Sequence, residues 1–244
     1  MPINGLIGRK IGMTTLFRED GMTVVVTAIE VGPCVVTQVK TKARDGYEAV
    51  QLGFGSAKKL TKPEAGHLER SKGKFHHLVE FKVKDLGEFE VGKSLDADVF
   101  VAGEIVKVSG RSRGHGFQGG MKRHNFSGGP MTHGQSDRQR APGAIGSTTH
   151  PGHVWKGTRM AGHMGDAKST VRGLEVVKAD AAQHIVFVKG AIPGADDGIV
   201  TIHKLGRMKR VAVAQAKATP AGQAKTAGSR AASAAPKKPA PAKT

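Results

Sequence analysis

Between Arg111 and Gly134 the chain reads RSRGHGFQGGMKRHNFSGGPMTHG, and within it Gly114, Gly116 and Gly119 have G-x-G-x-x-G spacing. Three chemistries use such residues. A glycine turn can seat a pyrophosphate at a helix start, histidines can ligate a metal, and a basic glycine-rich surface can hold a polynucleotide. The first needs a helix after the glycines. Gly119-Gly120, Gly128-Gly129 and Pro130 follow instead, and Asp137, near the distance of a ribose-binding acid, sits among Arg138 and Arg140 rather than at the end of a strand. The second would draw on His115, His124, His133, His150, His153 and His163. Metal-binding histidines come at short spacing on a fixed element and pass their second N–H to a carboxylate, and here only Asp137 and Asp166 are at hand. For nucleophilic catalysis the segment offers Ser136, His133 and Asp137, neighbours in a polar loop without a rigid scaffold. No catalytic residue, metal, cofactor or small-molecule substrate is expected, and the chain does not read as an enzyme.

The third chemistry fits. From Arg111 to Thr170 there are nine Lys and Arg against two Asp, a local balance of +7, with six His besides. Arg111, Arg113, Lys122, Arg123, Arg138, Arg140, Lys156, Arg159 and Lys168 are expected on phosphates, with Arg9 and Lys10 as weaker additions. His115, His124, Asn125, His133, His150 and His163 suit sugar and base edges, and Trp155, with Phe117 and Phe126, can stack. Glycine lets backbone N–H groups approach the sugar-phosphate chain closely. The whole chain agrees: 38 Lys and Arg against 20 Asp and Glu give a formal net charge of +18 over 244 residues, so a polyanion is the first partner to consider. No helix-turn-helix, zinc-finger or RNP-type signature is visible, which disfavours readout of one short duplex sequence.

Something must position that segment. The first third of the chain alternates Val, Ile, Thr and Phe-rich runs with turn residues: MTTLF, Asp20-Gly21, TVVVTAIEV, Gly32-Pro33, CVVTQVK, Asp45-Gly46, YEAVQLGF. After Ser56 the alternation lapses, and PEAGHLERS, opened by Pro63, predicts one short helix. Strand composition resumes in HHLVEFKV and EIVKVS, then in RGLEVVKAD, HIVFVKG and GIVTIHK after the glycine-rich segment. Residues 110–165 have neither a period of 2 nor one of 3.6 and cannot form a core of their own. The expected fold is mainly β: a β-barrel from 1–109 and 171–205 with a small α+β insertion at about 56–100, a long, largely irregular glycine-rich extension at 110–170, and a basic Ala/Lys/Pro-rich tail at 206–244. The tail is expected to be disordered alone, serving either as a solubilising appendage or as an electrostatic tether. Cys34, the only cysteine, lies in an apolar run and reads as core, which excludes an intramolecular disulfide and fits a reducing, cytoplasmic setting. The apolar run VVVTAIEV is too short to span a bilayer, and the N-terminal basic residues follow the apolar stretch instead of preceding it, so neither a membrane partner nor a secretory signal is expected.

These residues also carry a resemblance. GLIGRKIGMTTLF, DGYEAVQLGFG, GRSRGHGFQGGMKRHNF, THGQSDRQRAPGAIGSTTHPGHVWKGTRMAGHMG, LEVVKAD and VKGAIPG, in that order from about Met1 to His203, closely resemble bacterial large-subunit ribosomal protein L-three. The resemblance implies a barrel of the type shared with translation factors, seated on the outside of the large ribosomal subunit beside neighbouring large-subunit proteins. It implies an extension running through ribosomal RNA toward the peptidyl-transferase centre, binding near the 3′ end of the large-subunit (23S-type) RNA, and a part in nucleating assembly. By the match, Gln139 to Gly157 reaches nearest the catalytic RNA, and GHGFQGGMKRHNF and TRMAGHMG form the stem. Two positions depart: Thr149 stands where many members have a glutamine methylated on its amide, and His124 where many have tryptophan. A nonspecific nucleic-acid-compacting protein is the alternative that composition alone leaves open.

Overall fold

The computed structural model describes residues 3–18, 20–71, 73–83, 85–87 and 89–208, with residues 207 and 208 by backbone only. Its centre is a closed antiparallel barrel of six strands, β1 (Gly5–Phe17), β2 (Thr23–Val31), β7 (Glu104–Arg111), β10 (Lys168–Asp180), β11 (Ile185–Lys189) and β12 (Ile199–Met208). They run in the order β1-β12-β7-β10-β11-β2. Period-two alternation explains its interior: Val106, Val108, Val176, Val186, Val188, Val200 and Ile202 are buried, and Val108 lies directly opposite Ile202. Each fully buried side chain of this kind contributes about 1.5–3 kcal/mol. Closure joins the first strand to the last, Gly5 pairing with His203 and Leu6 with Ile202. A Cβ on Gly5 would collide with the Ile202 carbonyl, so only glycine lets the seam close.

A second sheet, in the order β5-β4-β3-β6, combines β3 (Cys34–Lys40), β4 (Ala49–Ser56), β5 (Phe75–Lys82) and β6 (Ser94–Leu95). It packs into the same hydrophobic cluster as the barrel through Cys34, Val36, Leu52 and Phe81. The Cys34 thiol is buried, donates to the Ile7 carbonyl at 3.3 Å, and is pushed up to about 12 by burial. Residues 34–56, expected in the barrel wall ahead of an insertion at about 56–100, therefore belong to this second sheet. Alternation tells which face of a strand is covered but not which sheet the strand joins, and Gly32, with φ of +102°, redirects the chain between β2 and β3.

Elements between the strands are short. One helical turn, α1 (Lys42–Asp45), precedes β4, and α2 (Lys62–Leu68) follows it, starting where Pro63 predicted. The Glu64 carboxylate accepts the Thr61 N–H at 2.9 Å, closing the first turn of α2, and this bond holds Glu64 below the usual carboxylate range. The last barrel strand runs three residues past the expected boundary at 205, Met208 pairing with Glu104. The tail from 209 to 244 lies outside the described residues. Among the described residues, no helix is long and apolar enough to cross a membrane.

Candidate nucleic-acid interface

From 111 to 172 no described side chain is buried, whereas the flanking barrel strands bury Val106 and Val108 on one side and Val176 on the other. What shapes this segment is backbone pairing between its two limbs. The β7–β10 ladder continues past the barrel to Arg111 opposite Lys168. The Ser112 N–H then donates to the Ala167 carbonyl at 2.9 Å, and the His115 N–H to that of Met164 at 2.9 Å. A two-stranded ribbon follows, β8 (Gly116–Gln118) against β9 (Gly162–Met164). At Gly165, φ is +78° and a Cβ would overlap the Arg113 carbonyl, so the limbs approach as closely as they do because a side chain is missing.

Beyond the ribbon, α3 (Gly120–His124) is a single turn ended by Asn125 in the left-handed region at φ 59°, its N–H returning to the Gly120 carbonyl. This is far short of the helix a dinucleotide fold requires. Its side chains clasp the opposite limb: Arg123 Nη1 donates to the Met160 carbonyl at 2.8 Å, and His124 Nε2 lies 3.0 Å from the same oxygen. The tip is held locally, with Gly129 N–H donating to Gln139 at 2.8 Å and the Thr158 hydroxyl to Trp155 at 2.6 Å. Every residue from 141 to 150 is exposed. An open cavity of about 510 Å³ lies at the neck of the tip, between Asn125–Gly129 and Arg138–Gly143.

The expected contact residues fall into three groups. Lys122, Arg138, Arg140, Lys156, Arg159 and Lys168 are exposed along the extension, as are His115, His133, His150 and His163. Trp155 is 65% exposed, its ring tilted at 59° to that of His153 with centroids 5.4 Å apart, so the indole itself is accessible for stacking. A second group has intramolecular work: Arg111 pairs with Asp166 at 2.7 Å, Arg113 with Asp196 at 3.6 Å, and Arg123, His124 and Asn125 fix the α3 turn. The third group is the N-terminal pair. Arg9 is bound by Glu30 at 2.7 Å and reaches Asp197 at 3.7 Å, while Lys10 is buried, its ammonium donating to the Gly194 carbonyl at 3.2 Å. Lys10 therefore stabilises the barrel rim and is withdrawn as a phosphate contact. Adjacent sequence position gave no sign that its ammonium turns inward toward the 194–197 turn.

Among the described residues, no three His, Cys, Asp or Glu side chains converge as a metal site would require. The Met160 carbonyl, which receives two side chains from the other limb, was not legible beforehand, since a backbone oxygen leaves no signature in residue type.

The family model described as "Ribosomal protein L3" matches residues 55–184, which includes the whole extension. The chain is 54% identical over 207 residues to the large ribosomal subunit protein uL3 of Herpetosiphon aurantiacus, covering 84% of this chain and 98% of that one. It is 53% identical over 205 residues to uL3 of Dehalococcoides mccartyi, covering 84% and 100%, and 49% identical over 201 residues to uL3 of Geobacter sulfurreducens, covering 81% and 95%. With near-complete coverage of each relative and about half of all aligned residues identical, the chain belongs to the ribosomal protein L3 family.

Proposed function

We propose that the chain binds large-subunit ribosomal RNA directly near its 3′ end, that its barrel docks on the subunit surface, and that residues 110–170 penetrate the RNA toward the peptidyl-transferase centre. Family membership makes it a structural protein of the large ribosomal subunit and not an enzyme, working in the cytoplasmic ribosome. The observation that carries the finer reading is the extension: a stem held by backbone pairing, a tip without a buried side chain, and a local charge of +7. A protein segment with no core gains little from packing on itself, so its ordering must be offset by contacts to a partner. Exposed Lys and Arg supply those contacts by neutralising phosphates, and each removes a counterion from the RNA. In this reading the extension cross-links RNA segments that would otherwise repel, which gives the protein an early part in subunit assembly beside neighbouring large-subunit proteins.

The test is competition. A transcript of the 3′-terminal domain of the large-subunit RNA should retain the protein at raised salt, where sequence-independent binding has weakened, and unrelated duplex DNA should not displace it. Equal displacement by the duplex would return the nonspecific compacting reading.

A further inference from the structure

Three adjacent barrel strands present a basic surface beside the stem, of which the sequence singled out only Arg111 and Lys168. On β12, β7 and β10, His203 lies opposite Lys107, and Lys107 opposite Arg172. The next outward row places Thr201 opposite Ser109 and Ser109 opposite Thr170. The row after that places Arg111 opposite Lys168. Directly paired residues share a face, and the intervening Val106, Val108 and Ile202 point into the core, so these side chains stand together on the outer wall. Ser109, Arg111, Lys168, Thr201 and His203 line a groove of about 670 Å³ at the root of the extension, with Val79 and Glu80 of β5 on its other side, and Lys107, Thr170 and Arg172 continue the same outer face beside it.

Within the groove Asp166 pairs with Arg111 at 2.7 Å, and Glu80 is engaged outside it by the Tyr47 hydroxyl at 2.7 Å and by Lys40, which leaves Lys168 in the groove and Lys107 and Arg172 beside it as the charges available to a ligand. The His203 imidazole registers the remaining field, since the positive charges of Lys107 and Lys168 add to burial in holding it neutral. Ser109 and Thr170 oxygens lie 2.8 Å apart, so one hydroxyl hydrogen of the pair is left for another acceptor, and the Thr201 hydroxyl donates at 3.4 Å to the Ser109 carbonyl.

We propose that this groove is a second RNA site, in which the ribose-phosphate backbone of a strand crosses β12, β7 and β10, with Lys107, Arg172 and Lys168 on phosphates and Thr170 and Thr201 on ribose hydroxyls. The inference rests on the RNA-binding reading above. The groove leads directly into the stem at Arg111 and Lys168, so a strand leaving the extension meets Lys168, then the hydroxyl row, then Lys107 and Arg172. The sheet supplies rigid anchors spaced about 6.8 Å along each strand, on the scale of successive phosphates.

The test uses the full chain and the 3′-terminal RNA transcript. A Lys107→Gln/Arg172→Gln variant should bind about tenfold or more weakly, with the slope of log affinity against log salt reduced by about 2. Thermal unfolding at matched pH should confirm that it is folded. Independently, acetylation of the unmodified chain followed by mass spectrometry should find Lys107 and Lys168 protected by the transcript. An Arg138→Gln/Arg140→Gln/Lys156→Gln variant in the extension separates the two readings. If it weakens binding while the barrel variant matches the parent and Lys107 stays reactive, the groove is not an RNA site and the extension remains one. If neither variant changes affinity, both readings fall. Protection of Lys107 by an acidic peptide but not by RNA would assign the groove to a protein partner and overturn the proposal.

Discussion

Gly165 and His203 show how single residues set the conditions for this fold. Gly165 combines a φ of +78° with a backbone contact that leaves no room for a Cβ, whereas Gly173 has a φ of +80° and open space around it. Gly165→Ala should destabilise the stem by about 1–3 kcal/mol or more, and Gly173→Ala by the conformational part alone. Amide exchange at His115, whose N–H crosses to Met164, is the readout; equal exchange in both variants would contradict the close approach. His203 is pushed down to about 4 by burial first and then by Lys107 and Lys168, against about 6.5 in an unfolded chain. Its folded pKa is depressed, so its contribution to stability is fully present above about 6.5 and is lost as pH falls through that window to about 4. His203→Gln should lose less stability than the parent between pH 7 and pH 4 in denaturant titrations, and parallel losses would show that His203 is not responsible.

The elements divide into those that residue pattern specifies and those that it does not. TVVVTAIEV, EIVKVS and HIVFVKG announce their strands because they are short runs rich in Val and Ile, and β2, β7 and β11 coincide with them. The lack of any period between 110 and 165 likewise foretold a segment without buried side chains. Sheet membership was not legible: nothing in CVVTQVK distinguishes a barrel strand from a strand of the second sheet. Nor was the basic groove, because Lys107, Arg172 and His203 are 96 residues apart at their extremes and meet only through strand pairing. The extension's expected behaviour follows from its construction. With its shape resting on backbone bonds and the Arg123–Met160 clasp, the tip at 130–157 should be cut rapidly by trypsin in free protein and resist it in assembled subunits. Equal resistance in both would mean that the segment does not depend on RNA for its order.

At the scale of the whole molecule, the net charge of +18 is concentrated outside the barrel, with +7 in residues 111–170 and +9 in residues 206–244, while the buried core lies in the barrel and the second sheet. That division suits a protein whose folded part is stable before assembly and whose functional part is completed by RNA. The resemblance seen in the glycine, histidine and arginine block identified the family; the barrel supplies the physical reason the block can be held as a two-limbed stem. The most direct measurement is co-sedimentation with large ribosomal subunits through a high-salt wash, for the full chain and for a chain in which residues 119–161 are replaced by a short glycine-serine linker. The full chain should remain with the subunit and the linker chain should be stripped from it. Retention of both to the same extent would contradict a role for the extension in holding the protein to RNA.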